Sequence, residues 1–282
     1  MKSSTLIPIE DELGDVIEKA MRQLSYTETI LAEKSGISES RISDAINYES
    51  DLDVHELGIV AKVLGLNELG LCALGAGQYP LPEIKGLPFC VWPLHMQHGI
   101  GVANAYLIAE CGDTSGILFD TGSGISDLEN VWPSQIKTLK AVFLTHSEAE
   151  HMGGLCEVVE RFGAPKAFVP EGAVTPCGKV IKEAQVEKFG ALEVTAHSTP
   201  GHAEAHNCYS VSMPSLKMGR KVLISGDLIF AGSVGRAYYS VEKRDYNIRR
   251  ILKMVSPSTV ICPGHGPMTT VDNELKFNPF LH

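Results

Sequence analysis

Four side chains that can bind metal ions lie within six residues of one another. His146, Glu148, Glu150 and His151 stand in the segment THSEAEH, which directly follows the apolar run 141–144. The two-residue spacing of 146, 148 and 150 predicts three side chains on one side of an extended chain, with His151 pointing elsewhere. This arrangement serves two neighbouring metal ions better than one. We therefore predict a metal site where a strand gives way to a loop.

Further candidate ligands stand beside glycines. His202 lies in TPGH, Asp227 in SGD and His265 in PGHGP. Glycine allows the backbone to approach a bound group closely, and two of these motifs directly follow strand-like apolar runs. A fourth motif, FDTG, places Asp120 after another such run. These residues supply the ligands that the first segment lacks.

The elements that would position these residues alternate between strand-like and helical patterns. Beyond residue 88, apolar runs are separated by glycine-rich turns, and a helical pattern covers 154–162. The strand-like runs are 105–108, 116–119, 141–144, 221–224 and 259–261. Alternation of this kind predicts strands and helices arranged around buried sheets.

The first seventy residues have helical patterns. An apolar stripe from Leu13 to Leu24 recurs at helical spacing. We predict three more helices: one capped by Ser25 and closed by Gly36, one capped by Ser38, and one that runs from Asp53 to Gly65. Short helices joined by a glycine-containing turn are typical of a helix-turn-helix unit.

Composition divides the chain and excludes several classes of protein. The 282 residues are 44% hydrophobic and 21% charged, which excludes disorder and fits one small and one medium domain. Glycines and prolines then predict a helical domain at 1–76, a linker at 77–88 and a second domain at 89–282. No apolar run is long enough for a membrane span or a signal peptide. Seven scattered cysteines without a CxxC motif favour free, buried thiols in a reducing cytoplasm.

The helical domain resembles the phage Cro/repressor-type helix-turn-helix family. The resemblance covers about residues 10–70 and rests on LAEKSGISESRIS at 31–43 and VAKVLGL at 60–66. It implies DNA contacts by Ser38, Ser40 and Arg41. Residues 1–80 carry 14 acidic and 6 basic side chains, however, and acidic surfaces repel phosphate. Formation of a homodimer through this domain is therefore an equal alternative to DNA binding.

The motifs of residues 87–282 together resemble the metallo-β-lactamase superfamily, whose fold is an αββα sandwich. The whole chain would then be an α+β protein with a small all-α domain in front. Within the superfamily the motifs resemble glyoxalase II, through TPGHAEAH at 199–206, GDLIFAGSVGR at 226–236 and PGHGPMTT at 263–270. The helical glutathione-binding extension of typical glyoxalase II enzymes does not follow these motifs, which leaves the carrier of a thioester substrate open.

The resemblance to glyoxalase II implies a ligand set for two divalent metal ions. One ion would take His146, Glu148 and His202, the other would take Glu150, His151 and His265, and Asp227 would bridge them. Asp120 and His206 would support these ligands from outside. Asp227 and Glu150 would be the catalytic carboxylates. Arg236, with Tyr238 nearby, is the candidate for binding an anionic small-molecule substrate.

Two residues depart from the family pattern. The family has His-x-His-x-Asp-His, whereas this chain has Glu148 and Glu150 at the second and third ligand positions. Glutamate at the second position is the pattern of the flavodiiron oxygen reductases, which bind two irons. More oxygen donors and more negative charge favour iron or manganese over zinc, and of these the flavodiiron pattern favours iron.

Three functions are therefore open. The first is a hydrolase that cleaves a thioester or ester by metal-activated hydroxide, which requires no side-chain nucleophile. The second is a diiron protein that reacts with O2 or NO, or that senses them. The third is a transcriptional regulator in which the helix-turn-helix domain reads DNA. The three C-terminal motifs favour the hydrolase.

Overall fold

The computed structural model describes residues 7–99, 101–163, 165–216 and 219–281. In these ranges the first unit consists of five helices: α1 (Leu13–Gln23), α2 (Glu28–Ser35), α3 (Glu39–Ile46), α4 (Val54–Leu64) and α5 (Glu68–Gly75). Their apolar faces form one shared core. No helix of the described chain is both long and apolar enough to cross a lipid bilayer.

The caps of these helices agree with the sequence patterns in all but one case. Ser38 caps α3, and Asp53 opens α4 with a capping box. The predicted cap of α2 at Ser25 is wrong, because the side chain of Thr27 accepts the hydrogen bond from the backbone of Ile30. Ser25 instead has a φ of 56° and belongs to the turn before the helix. The helix α5 was not predicted from the sequence.

The remainder of the chain forms two six-stranded sheets and a small hairpin. The first sheet has the order β1 (Cys90–His98), β2 (Gly101–Ala109), β3 (Ser115–Phe119), β4 (Thr138–Phe143), β5 (Lys166–Pro170) and β6 (Lys179–Ile181). The second sheet contains β7 (Val186–Phe189), β8 (Leu192–Ser198), β9 (Asn207–Ser212), β10 (Val222–Gly226), β13 (Val260–Pro263) and β14 (Thr269–Thr270), in the order β14-β13-β10-β9-β8-β7. The hairpin pairs β11 (Ile229–Phe230) with β12 (Ser233–Val234).

Helices cover the outer faces of both sheets. They are α6 (Ile125–Val131), α7 (Ala149–Met152), α8 (Leu155–Arg161), α9 (Val241–Met254) and α10 (Val271–Phe277). One apolar core lies between the sheets, with Phe143 and Tyr209 at its centre. A second core joins the first sheet to α6 and α8, and a third joins the second sheet to α9. The layers therefore follow the order helix, sheet, sheet, helix.

The helical unit packs directly against the sheets. The backbone N–H of Asn67 donates to the carbonyl of Pro279 at 2.7 Å, and Lys19 donates to the carbonyl of Val234 at 2.7 Å. A Cβ atom at Gly70 would lie 1.8 Å from the carbonyl oxygen of Phe277, so this contact requires glycine. Residues 76–89, which join the two units, form no helix or strand. The domain boundaries themselves stay a prediction.

The cysteines are less buried than the sequence analysis expected. Cys208 and Cys262 are buried, but Cys111 and Cys156 are exposed and the other three are partly exposed. The sulfur atoms of Cys90 and Cys111 lie 2.9 Å apart.

Candidate metal centre

The segment after β4 positions four of the candidate ligands. His146 follows the end of the strand in an extended stretch, and Glu148 is the N-cap of the short helix α7. Glu150 and His151 belong to α7 itself. The predicted extended chain from 146 to 150 is therefore wrong for Glu150, because a helical turn replaces the alternation after residue 148. This turn directs Glu150 towards the same group of ligands as His151.

The structure brings the seven candidate ligands together in two groups. One group contains His146, Glu148, His202 and Asp227, and the other contains Glu150, His151 and His265. In each group the ligand atoms lie within 4.8 Å of one another. The three residues that share the first group with Asp227, and the three of the second group, are those that the sequence resemblance implies for each ion.

Asp227 lies between the two groups. Its Oδ1 atom is 3.5 Å from His151 Nε2, and its Oδ2 atom is 3.4 Å from His265 Nε2 and 3.8 Å from His202 Nε2. A Cβ atom at Gly264 would lie 2.0 Å from Asp227 Oδ1. The glycine beside His265 is therefore required for the close approach of its backbone to this carboxylate.

The second nitrogen of each ligand histidine has a partner in the protein. The Nδ1 atom of His146 lies 2.9 Å from Thr145 Oγ1, and that of His151 lies 3.2 Å from Asp120 Oδ2. The Nδ1 atom of His202 lies 2.8 Å from the carbonyl oxygen of Arg236, and that of His265 lies 3.0 Å from the carbonyl oxygen of Val102. Partners of this kind fix the ring orientation and direct the other nitrogen towards a metal ion. All four Nε2 atoms are thereby available as ligands.

Several of these ligand atoms are buried without a hydrogen-bond partner. Among the described residues, the Nε2 atoms of His146, His151 and His202 and the Oδ1 atom of Asp227 are in this state. A buried polar atom without a partner costs roughly 1–3 kcal/mol, so a native protein rarely carries several in one place. Divalent metal ions would satisfy all of them at once, and the residues present therefore fit such ions.

The electrostatics of the cluster favour the charged form of its carboxylates. Burial would raise the pKa of Asp227, but His265 and His151 hold that pKa well below its usual range. The nearby rings of His146 and His202, whose Nε2 atoms lie 3.8 and 3.1 Å from the Glu148 carboxylate, also lower the pKa of Glu148. Burial lowers the pKa of His265, yet the Asp227 carboxylate raises it to about 10. The carboxylates of Asp227 and Glu148 are thus ionised at neutral pH, as metal ligands must be.

Asp120 and His206 lie beside the two groups, where the sequence analysis expected them. Asp120 is buried and accepts hydrogen bonds from the backbone and hydroxyl of Thr145, at 2.7 and 2.8 Å. The ring of His206 lies 5.3 Å from the ring of His146. Burial holds the pKa of His206 well below its usual value, and its Nδ1 lies 2.8 Å from Thr199 Oγ1. This neutral histidine belongs to neither ligand group.

A cavity of about 880 Å³ opens over the metal ligands. Arg236 and Tyr238 line it, and the Tyr238 ring lies 5.3 Å from the ring of His202. Residues of the helical unit also line this cavity, and the sequence analysis did not assign them to the site. Glu10 is the nearest to the ligands, with its Oε2 atom 3.8 Å from His265 Nδ1. No sequence signal marks these residues, since their position depends on how the two units pack.

The three predicted DNA-binding residues have partners within the helical unit. The guanidinium group of Arg41 forms an ion pair with Glu56 at 3.0 Å and donates to Ser50 at 2.7 Å. The Ser38 hydroxyl accepts from the backbone of Arg41 and lies 3.3 Å from the Ser40 hydroxyl. These contacts give the residues structural roles, and DNA binding stays a prediction.

Comparisons with known proteins identify relatives of the sheet-containing unit. An uncharacterized protein of Mycobacterium leprae is 27% identical over 212 residues, which cover 65% of this chain and 95% of that protein. A probable hydroxyacylglutathione hydrolase of Schizosaccharomyces pombe is 28% identical over 188 residues, covering 64% of this chain and 70% of that protein.

A solved structure and a family profile agree with these relatives. The crystal structure of TTHA1623 in a di-iron-bound form superposes with a TM-score of 0.53 at 25% identity, covering 67% of this chain and all of that chain (100%). The profile described as the metallo-beta-lactamase superfamily matches residues 98–265, which is more than half of the sequence and includes every candidate ligand. The chain therefore belongs to the metallo-beta-lactamase superfamily.

Proposed function

We propose that this protein is a metal-dependent hydrolase that cleaves a thioester or a related ester. The observation that carries the proposal is the set of buried ligand atoms without hydrogen-bond partners, which converge on both sides of Asp227. No such arrangement is needed for folding alone, because each unpaired atom destabilises the folded state.

The two ligand groups would each hold one divalent ion. His146, Glu148 and His202 would hold one ion, Glu150, His151 and His265 would hold the other, and Asp227 would contact both. Two such ions supply a hydroxide nucleophile near neutral pH and polarise the carbonyl group that is attacked.

The residues of the chain would orient the reacting groups. Asp227 and Glu150 would be the carboxylates that accept a hydrogen bond from an attacking water. Arg236 and Tyr238 stand at the edge of the cavity, where a substrate would be bound. The thioester is inferred from the relatives, because the S. pombe protein is named as a probable hydroxyacylglutathione hydrolase.

Glu148 supports iron as the native metal in this hydrolase. It adds an oxygen donor where imidazole would favour zinc. The similarity to a protein crystallised in a di-iron-bound form points in the same direction. The same features support a second candidate function, a diiron centre that reacts with O2 or NO.

Metal analysis and activity assays distinguish these functions. We expect about two ions per chain in protein purified without added metal, and hydrolysis of acyl thioesters by both the zinc-loaded and the iron-loaded forms. His151→Asn should lose metal, whereas His55→Asn, which replaces an exposed histidine of α4, should retain it. Zinc-loaded protein that cleaves no ester or thioester, alongside iron-loaded protein that consumes O2, would replace the hydrolase by the redox function.

A further inference from the structure

The helical unit forms one wall of the cavity over the metal ligands. Residues 7–12 line this cavity together with Lys19 of α1 and Tyr48. The backbone of Glu10 crosses directly over Gly266, where a Cβ atom would lie only 3.2 Å from Glu10 N. A substrate that enters the cavity therefore contacts both units.

A buried lysine fixes α1 to the hairpin beside the metal ligands. The side chain of Lys19 is 7% exposed, forms an ion pair with Asp11 and donates to the carbonyl of Val234 at 2.7 Å. It also lies 3.3 Å from the hydroxyl of Ser233. Arg236 lies two residues after this hairpin, and its carbonyl oxygen accepts the hydrogen bond from His202. The helical unit is thus joined to the loop that supports a metal ligand.

A second, smaller cavity lies between α1 and the start of α9. Its volume is about 220 Å³, and it shares Lys19, Arg236 and Tyr238 with the larger cavity. Arg22 and Arg244 also line it, and among the residues that the structure describes no acidic side chain does. The cavity is therefore cationic and adjoins the larger cavity over the metal ligands.

The positive charges around the smaller cavity differ in their partners. Lys19 is paired with Asp11, and Arg244 is paired with the neighbouring Asp245 at 2.7 Å. Arg22 pairs with Glu18, but its side chain is 58% exposed. Arg236 forms no ion pair with any residue that the structure describes. Among the described residues, the charge of Arg236 is thus unpaired, and the exposed Arg22 can exchange Glu18 for another anion.

We propose that the smaller cavity binds a carboxylate group on the substrate, with Arg236 and Arg22 as its ligands. A carboxylate matches the cavity because its single charge equals the single unpaired cation, and its two oxygens fit a guanidinium group. The proposal rests on the proposed hydrolase function and specifies its substrate class, a thioester with an acidic tail. It also gives the helical unit a role in substrate recognition.

Two matched substrates test the subsite. They are S-acetyl-3-mercaptopropionate, which carries a carboxylate, and the corresponding amide, which has the same shape without the charge. We expect wild-type protein to prefer the carboxylate in kcat/KM by about tenfold, as for one charge-assisted hydrogen-bonded pair. Arg236→Gln should abolish the preference and Arg22→Gln should reduce it. Arg249→Gln, at an exposed arginine of α9 outside the cavity, should leave the preference as in wild type.

A binding measurement separates the subsite from the reaction. Calorimetry with 3-(methylthio)propionate, a thioether that cannot be hydrolysed, should show binding that Arg236→Gln weakens about tenfold. Equal hydrolysis of both thioesters by wild-type protein would overturn the subsite and leave the hydrolase intact. Thioether binding that depends on Arg236 without hydrolysis of either thioester would overturn the hydrolase and support the subsite. Thioether binding that is absent, or that is the same in wild type and Arg236→Gln, would overturn the subsite.

Discussion

The replacement of Asp120 by asparagine should weaken both metal positions at once. Asp120 Oδ2 accepts from the Thr145 hydroxyl at 2.8 Å and lies 3.2 Å from His151 Nδ1. The Thr145 hydroxyl in turn lies 2.9 Å from His146 Nδ1. One carboxylate oxygen therefore keeps the protons of His146 and His151 on Nδ1, which leaves each Nε2 free as a ligand.

Asparagine isolates this effect from changes in backbone and shape. Asp120 has a φ of 60°, in the left-handed region that asparagine also tolerates. Its Oδ1 atom can still accept the hydrogen bond from the Thr145 backbone, which measures 2.7 Å in the native protein. The Nδ2 group, however, can only donate, so both histidines would move their proton to Nε2. Replacement of a supporting residue of this kind lowers metal affinity about 10–100-fold, which corresponds to about 1.4–2.8 kcal/mol of binding free energy per ion.

Competition with a chromophoric chelator measures this loss for each ion. Circular dichroism during thermal unfolding of the metal-free proteins shows whether the variant is folded. Asp113→Asn is the matched control, because Asp113 is a surface carboxylate paired with Lys140 at 2.6 Å. Equal metal affinities in Asp120→Asn and wild type would refute the assignment of the histidine protons.

Four further outcomes follow from single contacts. Lys19→Met should lower the free energy of unfolding by about 3 kcal/mol, measured in urea, because it leaves the carboxylate of a buried ion pair without its cation. Glu148→His should raise the zinc-to-iron ratio of the purified protein, measured by elemental analysis, since imidazole replaces an oxygen donor. A small disulfide reagent should oxidise Cys90 and Cys111 to one internal disulfide, and intact mass should fall by two hydrogens. We expect at most weak affinity for duplex DNA, and Arg41→Gln should leave it unchanged in fluorescence anisotropy, because the native guanidinium is already paired; tight binding that this change abolishes would restore the DNA-binding hypothesis.

The residues that the structure brings together as candidate metal ligands could be picked out from the sequence because each carries a local signal. His202, Asp227 and His265 stand next to glycines at strand ends, and such glycines are needed where backbone and ligand atoms crowd together. The packing of Gly264 against Asp227 illustrates the point. Helix caps were predictable for the same reason, since the hydrogen bonds of Ser38 and Asp53 span only three residues.

The errors arose where the outcome depends on tertiary packing. Period-two spacing predicted an extended chain through Glu150, but a helical turn begins at Ala149 and changes its direction. Lys19 gave no signal, because a charged residue in a helical pattern is expected to face solvent. Its partners Ser233 and Val234 are more than 200 residues away in the sequence, so only the packing of the units shows that it is buried.

The same packing gives the two cavities opposite electrostatic character. Apart from the metal ligands, the larger cavity is lined by Glu10, Glu12 and Asp15 of the helical unit, and such a wall repels an anionic substrate. A substrate with a carboxylate would therefore be kept away from this wall, and its charged end would need a positive group elsewhere. Arg236 stands at the junction of the two cavities and meets this requirement. Repulsion from the acidic wall and attraction to Arg236 would act together, directing the uncharged acyl bond of the substrate towards the metal centre.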